Sequence, residues 1–143
     1  MSITSALCNT FKEELFGGIH DIDTDILKLA LITGSPSGTY GSSTTNYSDL
    51  GSDEASGAGY TSGGNIVSGG TITLDGSTAF VDFTDVTFEN VTVNALGCLL
   101  YNSSKSNKAI AVFSFTTIKK SINADFVVTF PTANSSNAII RIT

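Results

Sequence analysis

Tryptophan is absent from this chain of 143 residues, methionine and histidine occur once each, and proline and cysteine twice each. A lone His20 rules out a multi-histidine metal centre, so a zinc site would need Cys8, Cys98 or carboxylates carried in from distant segments. Without tryptophan, an aromatic cleft of the kind that holds sugars has little to be built from. Cys8 and Cys98 lie far apart, and Cys98 sits in the apolar run ALGCLLY, where a thiol behaves as a small buried hydrophobe. One disulfide between them stays open.

Charge is scarce as well. Charged residues make up 14% of the chain, against about a quarter in ordinary domains, and Ser, Thr, Asn and Gly fill the gap. The net charge is −6, and no Lys or Arg lies between Lys28 and Lys105, whereas Asp49, Asp53, Glu54, Asp75, Asp82, Asp85 and Glu89 do. Binding to phosphates needs clustered cations, which argues against nucleic acid and against an anionic membrane surface. The start, MSITSALCNTFKEE, has neither a basic n-region nor an apolar core of signal-peptide length, and no run approaches a membrane span. Synthesis in a reducing cytoplasm without export is therefore expected. The sequons at Asn46, Asn90, Asn102 and Asn134 then carry no meaning.

What is present reads as one β-rich domain over residues 1–143, long enough to bury a core without staples. Thr10 and Glu13 fit a capping box, and Phe11, Leu15, Phe16 and Ile19 follow on one face at helical spacing. A short amphipathic helix should dock there and end at Gly17 and Gly18. ILKLALIT then alternates Leu27, Leu29 and Leu31 against Ile26, Lys28, Ala30 and Ile32, the pattern of a core strand.

Eleven of the 14 glycines fall within residues 34–76, and the stretch 34–64 has no apolar period of either kind. It reads as a Gly/Ser-rich loop or arm, with Tyr40, Tyr47, Leu50 and Tyr60 as anchors. Beyond it, short strands recur to the end. NIVSGGTITLDG carries Ile72 and Leu74 before a hairpin turn at Asp75 and Gly76. Ala79, Val81 and Phe83 share a face of the next strand. Val86, Phe88, Val91 and Val93 then alternate with one slip at Asn90, where a bulge would absorb the extra residue. ALGCLLY, AIAVFSFTT, DFVVTF and AIIRIT complete the set, with NSSKSNK as a polar hairpin loop. The predicted fold is mainly β: an antiparallel β-sandwich or jelly-roll-like barrel of about eight to nine strands with a short N-terminal α-helix.

Three constellations could carry chemistry. Asp21, Asp23 and Asp25 match the opening of a calcium loop, but Ile26 stands at its glycine and Ile32 at its terminal glutamate, so a helix-to-strand turn is the better reading. Asp75, Asp82 and Asp85 could converge through hairpin folding into an acid and base pair for glycoside hydrolysis, or simply be solvated turn carboxylates. A Ser-His-Asp arrangement around His20 stays open, although no G-x-S-x-G elbow is present. No catalytic, cofactor-binding or metal residue is assigned, and the chain is read as no enzyme.

The segment TFKEELFGGIHDIDTDILKLALIT, followed by SGAGYTSGG, resembles a family of small virion proteins of tailed bacteriophages. Its members open with NTFK-x-x-L-x-x-G-x-HD and carry an E-x-x-G-x-GY-T-x-GG element before a run of strands. Asn9 to Lys12, Leu15, Gly18, His20 and Asp21 match the first motif. Glu54, Gly57, Gly59, Tyr60, Thr61, Gly63 and Gly64 match the second. Relatives often carry a tryptophan in the strands around Phe88, which this chain lacks. The resemblance implies a non-enzymatic particle component located in the virion. It would be a capsid decoration, or cement, protein that binds major capsid protein and neighbouring copies of itself as a homo-oligomer on the particle. The alternatives are a tail, neck or fibre-associated protein and, more distantly, a carbohydrate-binding module using its tyrosines.

Overall fold

The computed structural model describes residues 2–143. Its eight strands form two antiparallel sheets, a sandwich arrangement and not a closed barrel. The large sheet has the order β1-β7-β6-β2-β3, with β1 at Ala6–Leu7, β2 at Leu27–Thr33, β3 at Asn65–Val67, β6 at Val86–Asn102 and β7 at Lys108–Val128. The small sheet has the order β4-β5-β8, with β4 at Thr71–Asp75, β5 at Thr78–Asp82 and β8 at Ile140–Ile142. Buried side chains of both sheets join in one contiguous core.

Helix α1, Asn9–Phe16, starts two residues earlier than the Thr10 motif predicts, since a cap at Thr10 would make Phe11 the first helical residue. β1 runs straight into it, and Cys8 is the residue before its first turn because its N–H is held by the Ile110 carbonyl of β7. Thr10 is thus already helical and the predicted capping box does not form; no side chain caps this end. The other end follows expectation, with Gly18 in the left-handed region at φ 70. Phe11 is fully buried and Leu15 packs against the core, but Phe16 is 97% exposed. One residue beyond Leu15 is about 100° further round the helix, which carries Phe16 off the docked face.

β2 is buried on both faces, as its apolar run predicts, and hydrogen-bonds to β6 on one side and β3 on the other. The strand count matches expectation by a different division of the chain. ALGCLLY continues the preceding strand as β6, and AIAVFSFTT continues into DFVVTF as the single strand β7. These two strands pair along their length, and bulges absorb the irregularities that look like strand ends in sequence.

The slip at Asn90 is one of them. From Phe88 to Val91 is three steps on β6 against two on β7, and Asn90 takes φ 50. From Val91 to Val93 the excess moves to β7, where Asn123 takes φ 49. The two bulges cancel, so Val86, Phe88, Val91 and Val93 all stay in the core. In the small sheet the turn lies one residue later than predicted, at Gly76 and Ser77 between the paired Asp75 and Thr78. Ile72 and Leu74 of β4 are exposed rather than interior.

Candidate functional site

The glycine-rich segment lies along the large sheet and does not reach away from it. Its organising group is the Glu54 carboxylate. Oε1 accepts from the Tyr47 hydroxyl at 2.6 Å and from Ser62 Oγ at 3.0 Å. Oε2 accepts from the Tyr60 hydroxyl at 2.8 Å and the Gly63 N–H at 2.7 Å. Tyr60 in turn accepts the Leu31 N–H of β2 at 3.0 Å, and Tyr101 of β6 donates to the Gly63 carbonyl. Tyr47 stacks on Tyr101 with ring centroids 4.7 Å apart. Burial, followed by the hydrogen bond to Glu54, raises the pKa of Tyr60 far above that of an ordinary phenol.

The glycines of the same motif permit close backbone approach. A Cβ on Gly64 would lie 1.8 Å from the Leu29 carbonyl oxygen, and one on Gly59 2.4 Å from that of Asn90 at the bulge. The E-x-x-G-x-GY-T-x-GG element is thus a clamp fixing the loop across β2 and β6. A second clamp sits upstream. The Tyr40 hydroxyl donates to Asp53 Oδ2 at 2.6 Å, and the Ser37 and Gly38 N–H groups donate to the same carboxylate. The Tyr40 bond, then that from Ser37, holds the Asp53 carboxyl below its usual range. Between the clamps Asn46 and Asp49 form a capping box for the turn Tyr47–Asp49, a pairing legible in N-Y-S-D and missed because the segment has no apolar period.

His20 is buried and committed on both ring nitrogens. The Asn102 amide donates to Nδ1 at 3.0 Å, which leaves Nε2–H to donate to Glu14 Oε1 at 2.9 Å. No serine hydroxyl bonds it among the described residues, so the Ser-His-Asp arrangement is not assembled. Asn102 also donates to Asp25 Oδ2 at 2.7 Å, and the Asp21 N–H closes on the same oxygen at 2.9 Å. Burial pushes the Asp25 carboxyl up, but Asn102, the Asp21 N–H and Lys105 together outweigh it and hold it low. Asp21, Asp23 and Asp25 therefore form a helix-to-strand corner in which Asp25 serves as internal acceptor.

The other candidates are dispersed. Asp75 and Asp82 stand at opposite ends of the β4–β5 hairpin, and Asp85 accepts the Phe130 N–H at 2.8 Å. Cys8 and Cys98 are both buried thiols, and burial pushes Cys8 up to about 12. Neither is a reactive thiolate at neutral pH.

Apolar surface is left open beside the helix. Between α1 and β8 runs a groove of about 440 Å³ walled by Leu7, Phe11, Leu15 and Phe16 on one side and Ile140 and Ile142 on the other, with Lys12 and Arg141 as its charged groups. A smaller hollow continues it past Leu15 to Ile22, Ile72 and Val81. The helical pattern could have pointed to this surface only if Phe16 had been taken as turned outward. Comparison with family models, with curated proteins and with solved structures finds no match to this chain.

Proposed function

We propose that this chain is a non-enzymatic structural component of a bacteriophage particle, a capsid decoration protein that binds the shell of major capsid protein from its place on the virion. The observation that carries the reading is the α1–β8 groove, where Phe16 stands 97% exposed beside an apolar channel in a chain whose polar motif residues are engaged internally. Apolar surface of this kind marks an interaction site. The two motifs that carry the family resemblance both build rigidity: the Glu54 clamp fixes the loop, and the His20 corner fixes α1 against the sheet. A rigid adhesive domain loses little conformational freedom on binding, and symmetry repeats each modest contact many times over a shell.

The test is reconstruction of intact particles at side-chain resolution, with particles lacking the chain as reference. Density for the chain on the shell, with α1 facing major capsid protein, is the expected result. Density confined to the tail, neck or fibres overturns the capsid assignment.

A further inference from the structure

The two sheets guard their edges unequally. Among the described residues the outer side of β7 has no neighbouring strand beyond Ser114, since β1 pairs only with Ala111 and Val112. That edge carries Lys119 and Lys120, and the left-handed residues Thr116 and Asn123 break its regularity. Edge lysines and bulges are devices by which sheets avoid adding a foreign strand. β3, the opposite edge, has only three residues.

β4 has none of these protections. It is the outermost strand of the small sheet, exposed at all five positions, and contains no lysine or proline. Its ladder to β5 runs unbroken from Thr71 and Asp82 to Asp75 and Thr78. Among the described residues no backbone group bonds to its outer side. Its apolar side chains also share one face. The register lines up Ile72, Val81 and Ile140 in one row, and Leu74, Ala79 and Ile142 in the next. Leu15 and Ile22 share a hollow with both rows, reaching Ala79 and Ile142 of the second as well as the first, and Leu74 lies outside it, 73% exposed.

We infer that β4 is the site at which a second copy of this chain adds, β4 against β4, antiparallel about a two-fold axis through Thr73. The segment TITLD is self-complementary in that register. Thr73 faces its own copy, Ile72 faces Leu74 of the second copy, and Asp75 faces Thr71, so apolar meets apolar and no carboxylate opposes another. The six strands then form one continuous sheet, and the exposed Leu74 gains a neighbour on the apolar face. Such a contact is isologous and closes on itself. One short strand per copy buries less than a stable dimer needs, so the pairing strengthens with concentration and is favoured wherever copies are held side by side. It does not rest on the capsid assignment.

Oxidative crosslinking of the full chain tests it. A Thr73→Cys chain should give covalent dimers, because antiparallel partners lie about 4.5–5.5 Å apart at Cα, within disulfide reach. The native thiols of Cys8 and Cys98 are buried and do not compete. Ile122→Cys, exposed on the guarded β7 edge, is the reference and should crosslink several-fold more slowly. In sedimentation velocity the native chain should shift toward dimer as concentration rises, and Leu74→Lys should abolish the shift while leaving the melting transition in place. Equal crosslinking of the two cysteine variants, or a Leu74→Lys chain that sediments like the native one, overturns the pairing. Intact pairing in a protein that fails to bind shells would count against the capsid reading alone.

Discussion

The Tyr60 hydroxyl joins two parts of the chain by donating to Glu54 Oε2 at 2.8 Å while accepting the Leu31 N–H of β2 at 3.0 Å. Loop and core strand are therefore held through one side chain. Glu54→Ala strips acceptors from Tyr47, Tyr60, Ser62 and Gly63 together. The expected loss is about 2–4 kcal/mol in urea unfolding, tempered by water reaching the outer donors. Protease nicking within residues 34–64 should rise in parallel.

Two glycines with positive φ separate steric need from conformational need. Gly64, at φ 78, has the Leu29 carbonyl oxygen 1.8 Å from where a Cβ would sit, whereas Gly51, at φ 49, has nothing within 4 Å. Gly51→Ala should cost about 1–2 kcal/mol, the left-handed penalty alone. Gly64→Ala should cost more than about 4 kcal/mol, or prevent folding, because the backbone of β2 has to move. Comparison of denaturation midpoints checks the difference.

Asp53 sets an acid limit on the loop. Its folded pKa is depressed, first by the Tyr40 hydroxyl and then by the Ser37 N–H, from an ordinary 3.8. Its contribution is therefore complete above that ordinary value and is lost as pH falls through the lower folded one. Tyr40→Phe should cost about 1.5–3 kcal/mol at neutral pH and less in strong acid. Thermal melts recorded from pH 7 down to about pH 2 would show the two curves converging.

Asn102 is fully buried and uses every polar atom, donating to His20 and Asp25 and accepting the Ser104 N–H. Asn102→Ala should cost about 2–4 kcal/mol, because it leaves buried partners unpaired. Asn134→Ala, in an exposed turn, should cost under about 1 kcal/mol. Calorimetric melting temperatures distinguish them.

Phe16 separates stability from adhesion. At 97% exposure, Phe16→Ser should leave stability within about 0.5 kcal/mol of the native chain. On the proposed function it should still weaken binding to particles that lack the chain, as read by co-sedimentation. Binding unchanged by Phe16→Ser would remove the groove from the contact.

Some of this was legible in the residues. The helix stop at Gly18 could be read because few residues other than glycine adopt its left-handed conformation cheaply. The bulge at Asn90 could be read because its neighbours keep strict alternation on either side. The Thr10 motif misled, since a capping box describes a helix entering from a loop and here β1 enters from a sheet. Continuity of β6 and β7 was hidden, because a bulge and a strand end leave the same break in alternation. In residues 34–64 the tyrosine anchors were legible but their carboxylate partners Glu54 and Asp53 were hidden, because hydrogen bonds leave no hydrophobic period.

By itself the sequence determined the β class, the short helix, the core strand β2 and the last strand, all local consequences of apolar spacing and of glycine's backbone freedom. Only the tertiary structure decided that Asp25 in the aspartate corner accepts from Asn102, that His20 is spent on Glu14 and Asn102, and that Phe16 and Leu74 face outward. Those outcomes depend on which distant strand lies alongside each residue, and on where the small sheet stops short of covering its own apolar face. Local spacing carries neither.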